Sequence, residues 1–146
     1  MKVAEAMTRE VCIASPDDSI SEVACTMANI DAGAVPVGEN DRLVGMITDR
    51  DIAVRAVAAE KGPDTPVREV MTRDVKYCYE DEPLEHVAKN MGEQRVRRLP
   101  VLNREKRLVG ILSLGDIALT QGKRAAGDAV TGISRHGGPH SQAATV

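Results

Sequence analysis

The 146-residue chain has no phenylalanine, no tryptophan and only two tyrosines, Tyr77 and Tyr79. A nucleic-acid platform that stacks bases on aromatic rings therefore has almost nothing to work with. Cysteine is sparse as well: Cys12, Cys25 and Cys78 are odd in number, far apart and without C-x-x-C spacing. That pattern fits reduced thiols used as small buried apolar residues, and it gives no disulfide framework. No uninterrupted apolar run of membrane-spanning length occurs, and the opening MKVAEAMTRE carries charges where a signal peptide has its apolar core. These absences make a cytoplasmic protein with no membrane association the expectation. Neither sign of charge dominates, with 19 basic and 22 acidic side chains giving a net charge of -3. General attraction to phosphate backbones is excluded as the main activity.

What is present is ordinary globular composition, 42% hydrophobic and 28% charged, supplied by Val, Ala, Ile, Leu and Met. The charge is uneven. Residues 1–64 hold 6 basic and 12 acidic groups (net -6), residues 65–121 hold 10 and 9 (net +1), and residues 122–146 hold 3 and 1 (net +2). Much of the positive charge lies in one run: Arg95, Arg97, Arg98, Arg104, Lys106 and Arg107.

The chain repeats itself. Val3-Ala-Glu-Ala-Met-Thr-Arg-Glu-Val11 returns as Val67-Arg-Glu-Val-Met-Thr-Arg-Asp-Val75. The register holds through Asp17 and Asp81, Val23-Ala24 and Val87-Ala88, Met27 and Met91, and Pro36-Val37 and Pro100-Val101. One inserted residue near Lys106 then shifts it before Arg42-Leu-Val-Gly45 meets Arg107-Leu-Val-Gly110, and Asp51-Ile-Ala53 meets Asp116-Ile-Ala118. Such periodicity marks two copies of one supersecondary unit.

Each copy reads as strand, helix, strand, strand, helix. Ile20, Val23, Ala24, Met27 and Ile30 recur at helical spacing behind a Ser19/Glu22 capping pattern. Leu84, Val87, Ala88 and Met91 repeat the stripe behind Pro83, a residue suited to the first helical position. Both stripes are expected to be core. Ala34–Val37 with Leu43–Ile47, and Leu99–Leu102 with Leu108–Leu112, read as hairpins about polar turns. A further helix runs from about Asp49 to Glu60 before Lys61-Gly62-Pro63, and its twin starts near Leu114. The expected organisation is repeat 1 over 1–63, repeat 2 over 64–121, and a flexible tail over 122–146. In that tail Gly137-Gly138-Pro139 prevents His136 and His140 from sharing a helical face for a metal.

One motif closes both hairpins, Gly45-Met-Ile-Thr48-Asp-Arg-Asp51 and Gly110-Ile-Leu-Ser113-Leu-Gly-Asp116. S/T-x-x-D is a helix-capping pattern. A capped helix start with exposed N–H groups and a hydroxyl also suits phosphate, and a carboxylate one turn later suits the donor hydroxyls of a ribose. Both readings stand on the residues alone.

The doubled pattern, V-x-x-x-M-T-R-x-V at each start, P-V before the hairpin and G-h-h-[ST]-x-x-D after it (h, hydrophobic), resembles a tandem pair of CBS (cystathionine β-synthase type) domains, a Bateman module. It spans about residues 1–121 and is similar to the stand-alone bacterial hypoxic-response type. The resemblance implies an α/β (α+β) fold of two β-α-β-β-α repeats about a pseudo-two-fold axis, with adenosine-containing ligands such as AMP, ATP or NAD held in clefts between them. It assigns Asp51 and Asp116 to ribose, Thr48 and Ser113 to phosphate or ribose, and Arg97 and Arg98 to phosphate. Repeat 1 has Gly33 and Ala34 where repeat 2 has that arginine pair, and Arg50 is the substitute there. Adenine would meet the stretches about Thr8–Ile13 and Thr72–Tyr77, with Val11, Val35, Val75 and Leu99 as wall candidates. Tyr77 and Tyr79 are expected to pack in the core.

The resemblance further implies a regulatory sensor with no catalytic cofactor, a homodimer formed through the helices, with Ala53–Ala59 as its apolar surface, and an unidentified regulated protein as partner. Three alternatives compete. An enzyme would need a nucleophile, base or metal set, and neither G-x-S-x-G nor H-E-x-x-H occurs. A dimerising module with unoccupied clefts leaves the doubled S/T-x-x-D unexplained. Nucleic-acid binding through Arg95–Arg107 is opposed by the net charge and the missing aromatics.

Overall fold

A computed structural model describes residues 1–121 and 123–134. His136 and His140 lie outside the described residues. The chain folds as two compact units that do not coincide with the sequence repeats. One unit joins Met1–Glu10 to Lys76–Glu105 and the described residues from Val109 to Ser134; the other comprises Val11–Val75 with Lys106–Leu108. The opening segment of each repeat is thus housed with the other repeat's body. The boundary expected at residue 63 separates sequence copies, whereas the folded units exchange their first ten or so residues.

In the unit built on repeat 1, helix α2 (Ile20–Ile30) begins where the Ser19 hydroxyl accepts the Glu22 N–H at 3.1 Å, and it ends on Asp31 in the left-handed region, φ 53°. Strands β1 (Ala34–Glu39) and β2 (Arg42–Thr48) pair antiparallel with Val35 opposite Ile47. Their turn, Asn40-Asp41, has φ of 54° and 63°, the doubly left-handed geometry that matches the twist of a two-residue hairpin. Ala14 adds a parallel bridge to Val37 on the other edge of β1. The first strand expected in this repeat is reduced to that bridge.

After β2 comes a short helix, α3 (Asp49–Asp51), which runs straight into π-helical turns over Ile52–Val57. Bonds such as Ala58 N–H to Ala53 O at 2.9 Å are spaced five residues apart. Ala56 is fully buried there, within a core of Ile20, Val23, Met27, Val35, Val37, Ile47, Val67 and Val70. Ala56 is therefore not part of an association surface, as the sequence suggested. Its outward neighbours Val54 and Val57 are 52% and 68% exposed.

The unit built on repeat 2 opens with α1 (Val3–Ala6), contributed by the chain's start, and adds β3 (Cys78–Tyr79), α4 (Leu84–Gln94), β4 (Arg98–Leu102) and β5 (Leu108–Ser113) in a sheet ordered β3-β4-β5. The β3–β4 pair is parallel, Cys78 opposite Val101, the exact repeat equivalent of the Ala14–Val37 bridge. Pro83 sits one position outside α4, as its cap rather than its first residue. Cys78 takes the core position, whereas Cys12 and Cys25 are exposed rather than buried as expected, and the tyrosines flanking Cys78 point outward: Tyr77 is 42% exposed and meets Tyr79 edge to face. The expectation that these rings pack in the core is corrected by strand alternation, because the residue between them is the buried one.

Two more helices follow among the described residues, α5 (Leu114–Gln121) and α6 (Lys123–Ile133). The second lies in the stretch expected to be a tail. Its reason to fold is contact: α6 packs against α4 and α5, and a Cβ on Gly132 would stand 2.4 Å from the Gly92 carbonyl oxygen. Among the described residues no helix is long and apolar enough to cross a membrane.

Candidate ligand site at two strand-helix junctions

The two S/T-x-x-D motifs form the same local structure. At the end of β2 the Thr48 hydroxyl accepts the Asp51 N–H and the Asp51 Oδ2 accepts the Thr48 N–H, both at 3.0 Å. At the end of β5 the Ser113 hydroxyl accepts the Asp116 N–H at 3.1 Å while Asp116 Oδ2 accepts the Ser113 N–H at 2.9 Å. Both are reciprocal caps, so the capping reading of the motif is realised in full. Each cap uses one carboxylate oxygen only. In Asp51 the other, Oδ1, lies 3.9 Å from Arg55 Nε; Asp116 has no further partner among the described residues.

A second strand segment flanks each junction, and the sequence reading missed how. Thr8 exchanges backbone hydrogen bonds with Ile111 at 2.9 and 3.0 Å, two residues before Ser113. Thr72 does the same with Met46 at 2.8 and 2.9 Å, two residues before Thr48. The glycines of the motif make this approach feasible: a Cβ on Gly110 would lie 2.8 Å from the Thr8 carbonyl oxygen and 2.7 Å from Met7 Sδ, and one on Gly45 would lie 2.8 Å from both Thr72 O and Met71 Sδ. The Met-Thr pair of one repeat and the glycine of the other are two halves of one contact. Their recurrence in both copies was the available signal. Arg55 reinforces the first junction by donating to the Val70 and Met71 carbonyls at 3.4 and 3.2 Å.

The third flank is the start of the central strand, and here the copies diverge. Leu114 N–H donates to the Arg97 carbonyl at 3.0 Å, and Asp49 N–H donates to the Gly33 carbonyl at 3.0 Å, so Arg97 and Gly33 are equivalents. A Cβ on Gly33 would lie 2.8 Å from Asp49 Oδ2. Where the second junction carries a guanidinium, the first carries a carboxylate. Arg97, Arg98 and Arg50 are exposed and enter no ion pair among the described residues.

Two other arginines of the basic run, Arg104 and Arg107, are engaged elsewhere. Arg104 holds Asp81 through both carboxylate oxygens at 2.8–3.1 Å and lies 4.1 Å from the Tyr79 ring centre, and these hydrogen bonds, helped by its charge, keep the Asp81 carboxyl below its ordinary range. Arg107 meets Asp41 at 2.9 Å. The wall candidates separate as well. Val35 and Leu99 are 1% and 2% exposed and belong to the cores, so they offer no open surface at the junctions. Val11 and Val75 are half-buried, in the unit that holds Thr48 and Asp51. No group of three or more His, Cys, Asp or Glu suited to a metal occurs among the described residues.

The family model described as CBS domain matches twice, over residues 3–57 and 67–121. The chain belongs to the CBS-domain family. The CBS domain-containing protein YhcV of Bacillus subtilis is 41% identical over 133 residues, 90% of this chain and 94% of that protein. Hypoxic response protein 1 of Mycobacterium tuberculosis is 37% identical over 114 residues, covering 77% of this chain and 79% of that one. Among solved structures, the CBS domain pair of protein MJ0100, in complex with 5-methylthioadenosine and S-adenosyl-L-methionine, superposes with a TM-score of 0.72 at 32% identity over 82% of this chain and 94% of that one. The CBS domain protein PAE2072 of Pyrobaculum aerophilum, complexed with AMP, gives 0.74 at 26% identity, covering 86% of this chain and 95% of that one. Two CBS repeats of mixed helix and strand thus account for the folded chain through Gln121, and α6 follows them.

Proposed function

We propose that this protein is a non-catalytic sensor of adenosine-containing ligands, AMP, ATP or an NAD-like dinucleotide, held at the Thr48/Asp51 and Ser113/Asp116 junctions. The observation that carries the reading is the duplicated cap with a spare carboxylate oxygen. Asp116 Oδ2 secures the helix start, and its Oδ1 faces no partner among the described residues. A carboxylate so placed accepts from vicinal ribose hydroxyls, while Ser113 or Thr48 takes phosphate or ribose. Arg97 and Arg98 at the second junction, with Arg50 as the lesser counterpart at the first, supply paired donors for phosphate. The adenosine ligands named for MJ0100 and PAE2072 support the ligand class.

Calorimetry with AMP tests this. Loss of a charge-assisted hydrogen bond costs about 1.5–3 kcal/mol, so Asp116→Ala weakens binding roughly ten- to a hundred-fold. Equal affinity in wild type, Asp51→Ala and Asp116→Ala ends the ribose assignment. Replacing both Arg97 and Arg98 with Ala lowers ATP affinity more than adenosine affinity.

The sensor acts in the cytoplasm as a homodimer and passes its signal to a separate regulated protein. Support for self-association comes from two equivalent helix positions, Val54 and Leu119, which are 52% and 88% exposed. Apolar side chains left in water at matching places suit an interface. Sedimentation showing a dimer that Val54→Glu with Leu119→Glu converts to monomer is the expected result; a wild-type monomer at micromolar concentration overturns it.

A further inference from the structure

The geometry points to α6 as a cover on the second repeat whose seating is coupled to occupancy of the Ser113/Asp116 junction: ligand held there tightens the cover, and a tighter cover raises affinity for the ligand. This rests on the nucleotide reading above and adds the part of the chain that registers binding.

Three observations carry it. First, α6 does not stand alone. It has eleven residues, below the length at which an isolated helix persists in water, and two of them are Gly127 and Gly132, the poorest helix formers after proline. Its helical state therefore depends on its seat. Second, the seat is specific. Gly132 is buried with its Cα against the Gly92 backbone, an approach that no side chain at residue 132 would permit, since a Cβ there would stand 2.4–2.7 Å from three Gly92 backbone atoms. Gly92 and Ala88, four residues apart on one face of α4, are both buried.

Third, the other wall of the seat is α5, whose eight residues begin at the Ser113/Asp116 cap and end two residues before α6 starts. A ligand that fixes the first turn of α5 orders the surface on which α6 leans, and a docked α6 orders the helix that presents Asp116. Two events that share one ordering cost help each other, and the help is equal in both directions. The first repeat lacks the device. Ala24 and Ala28, the equivalents of Ala88 and Gly92, are exposed, and the π-helical turns ending at Val57 lead through Ala58–Pro66 to the 3₁₀ turn Val67–Glu69 with no additional helix.

The test uses the full-length chain, AMP, hydrogen exchange and calorimetry, with two glycine variants of opposite sign. Gly127 has nothing within 4 Å of its Cβ position, so Gly127→Ala strengthens the helix without altering the seat, raising the docked fraction's equilibrium about four- to five-fold. Gly132→Val cannot seat. AMP should slow amide exchange in residues 123–133 several-fold, Gly127→Ala should bind AMP more tightly by up to that same factor, and Gly132→Val should bind it more weakly. If AMP binds and Asp116→Ala loses it, yet exchange in α6 and the affinities of both glycine variants stay unchanged, the coupling is wrong and the binding reading stands. If AMP does not bind the wild type, both fall. Should Gly132→Val fail to fold, Gly127→Ala, which removes no contact, decides alone.

Discussion

Helices α2 and α4 are the same helix written twice, yet they live in different surroundings. Ile20, Val23 and Met27 of α2 are buried, as are Leu84, Val87 and Met91 of α4. The next two positions around the cylinder part company: Ala24 and Ala28 are exposed, whereas Ala88 and Gly92 are buried. The core-facing stripe is therefore a property of the repeat, while the second buried face belongs to α6, which exists once. An internal duplication teaches here what one copy could not: the residues shared by both copies serve the common fold, and those that differ reveal where one copy has acquired an additional neighbour or a different charge.

Three comparisons sharpen that contrast. The largest effect is expected from placing a carboxylate at the two alanines. Ala88→Asp puts an unpartnered charge in the interior and should cost about 3–5 kcal/mol, enough to unfold a marginal domain. Ala24→Asp, on an exposed helix position, should cost under about 1 kcal/mol. Urea melts of the two variants measure the difference, and equal losses would mean that α2 is covered in solution as well.

The junction charges come next in size, through ATP binding to the chain with and without Arg97 and Arg98, as set out above; a first junction that prefers ATP over adenosine despite Asp49 would break the comparison. The smallest effect concerns Cys78, whose repeat equivalent is Ala14. Burial, with Glu82 nearby, pushes the Cys78 thiol up to about 12, against about 8.5 for a free thiol. The folded state thus keeps its proton where the unfolded chain gives it up. Stability is unaffected below about pH 8.5 and declines as pH rises from there toward 12. Cys78→Ala should flatten that limb in alkaline melts, and an unchanged alkaline limb would show that other groups govern it.

Much of this was legible in the residues. The duplicated M-T, P-V and G-h-h-[ST]-x-x-D signatures located both hairpins and both caps, because strand alternation and capping are written in nearest neighbours. The same pattern delimits the sequence copies, 1–63 and 64–121, but does not tell which stretches fold together, for a physical reason. Thr8 is 103 residues from its partner Ile111, and no local periodicity encodes a pairing that distant; only the complementary pair, a glycine in one copy and Met-Thr in the other, hints at it. Ala56 was misplaced because π-helical turns rotate side chains away from the regular helical register. The helix over Lys123–Ile133 was hidden by its own glycines, which lower helix propensity in isolation, although one of them, Gly132, is used for contact with α4.

The exchange of opening segments also imposes a timetable on synthesis. Met7 and Thr8 leave the ribosome about a hundred residues ahead of their partners Gly110 and Ile111. At ~5–20 residues per second, the segment waits for roughly 5–20 seconds with its edge unpaired. The equivalent contact of the other copy, by contrast, closes as soon as Thr72 emerges to meet Met46. The nascent chain thus closes the Thr72–Met46 contact before the Thr8–Ile111 contact, although Thr8 is made first, and β5 is the strand that gives Thr8 its place.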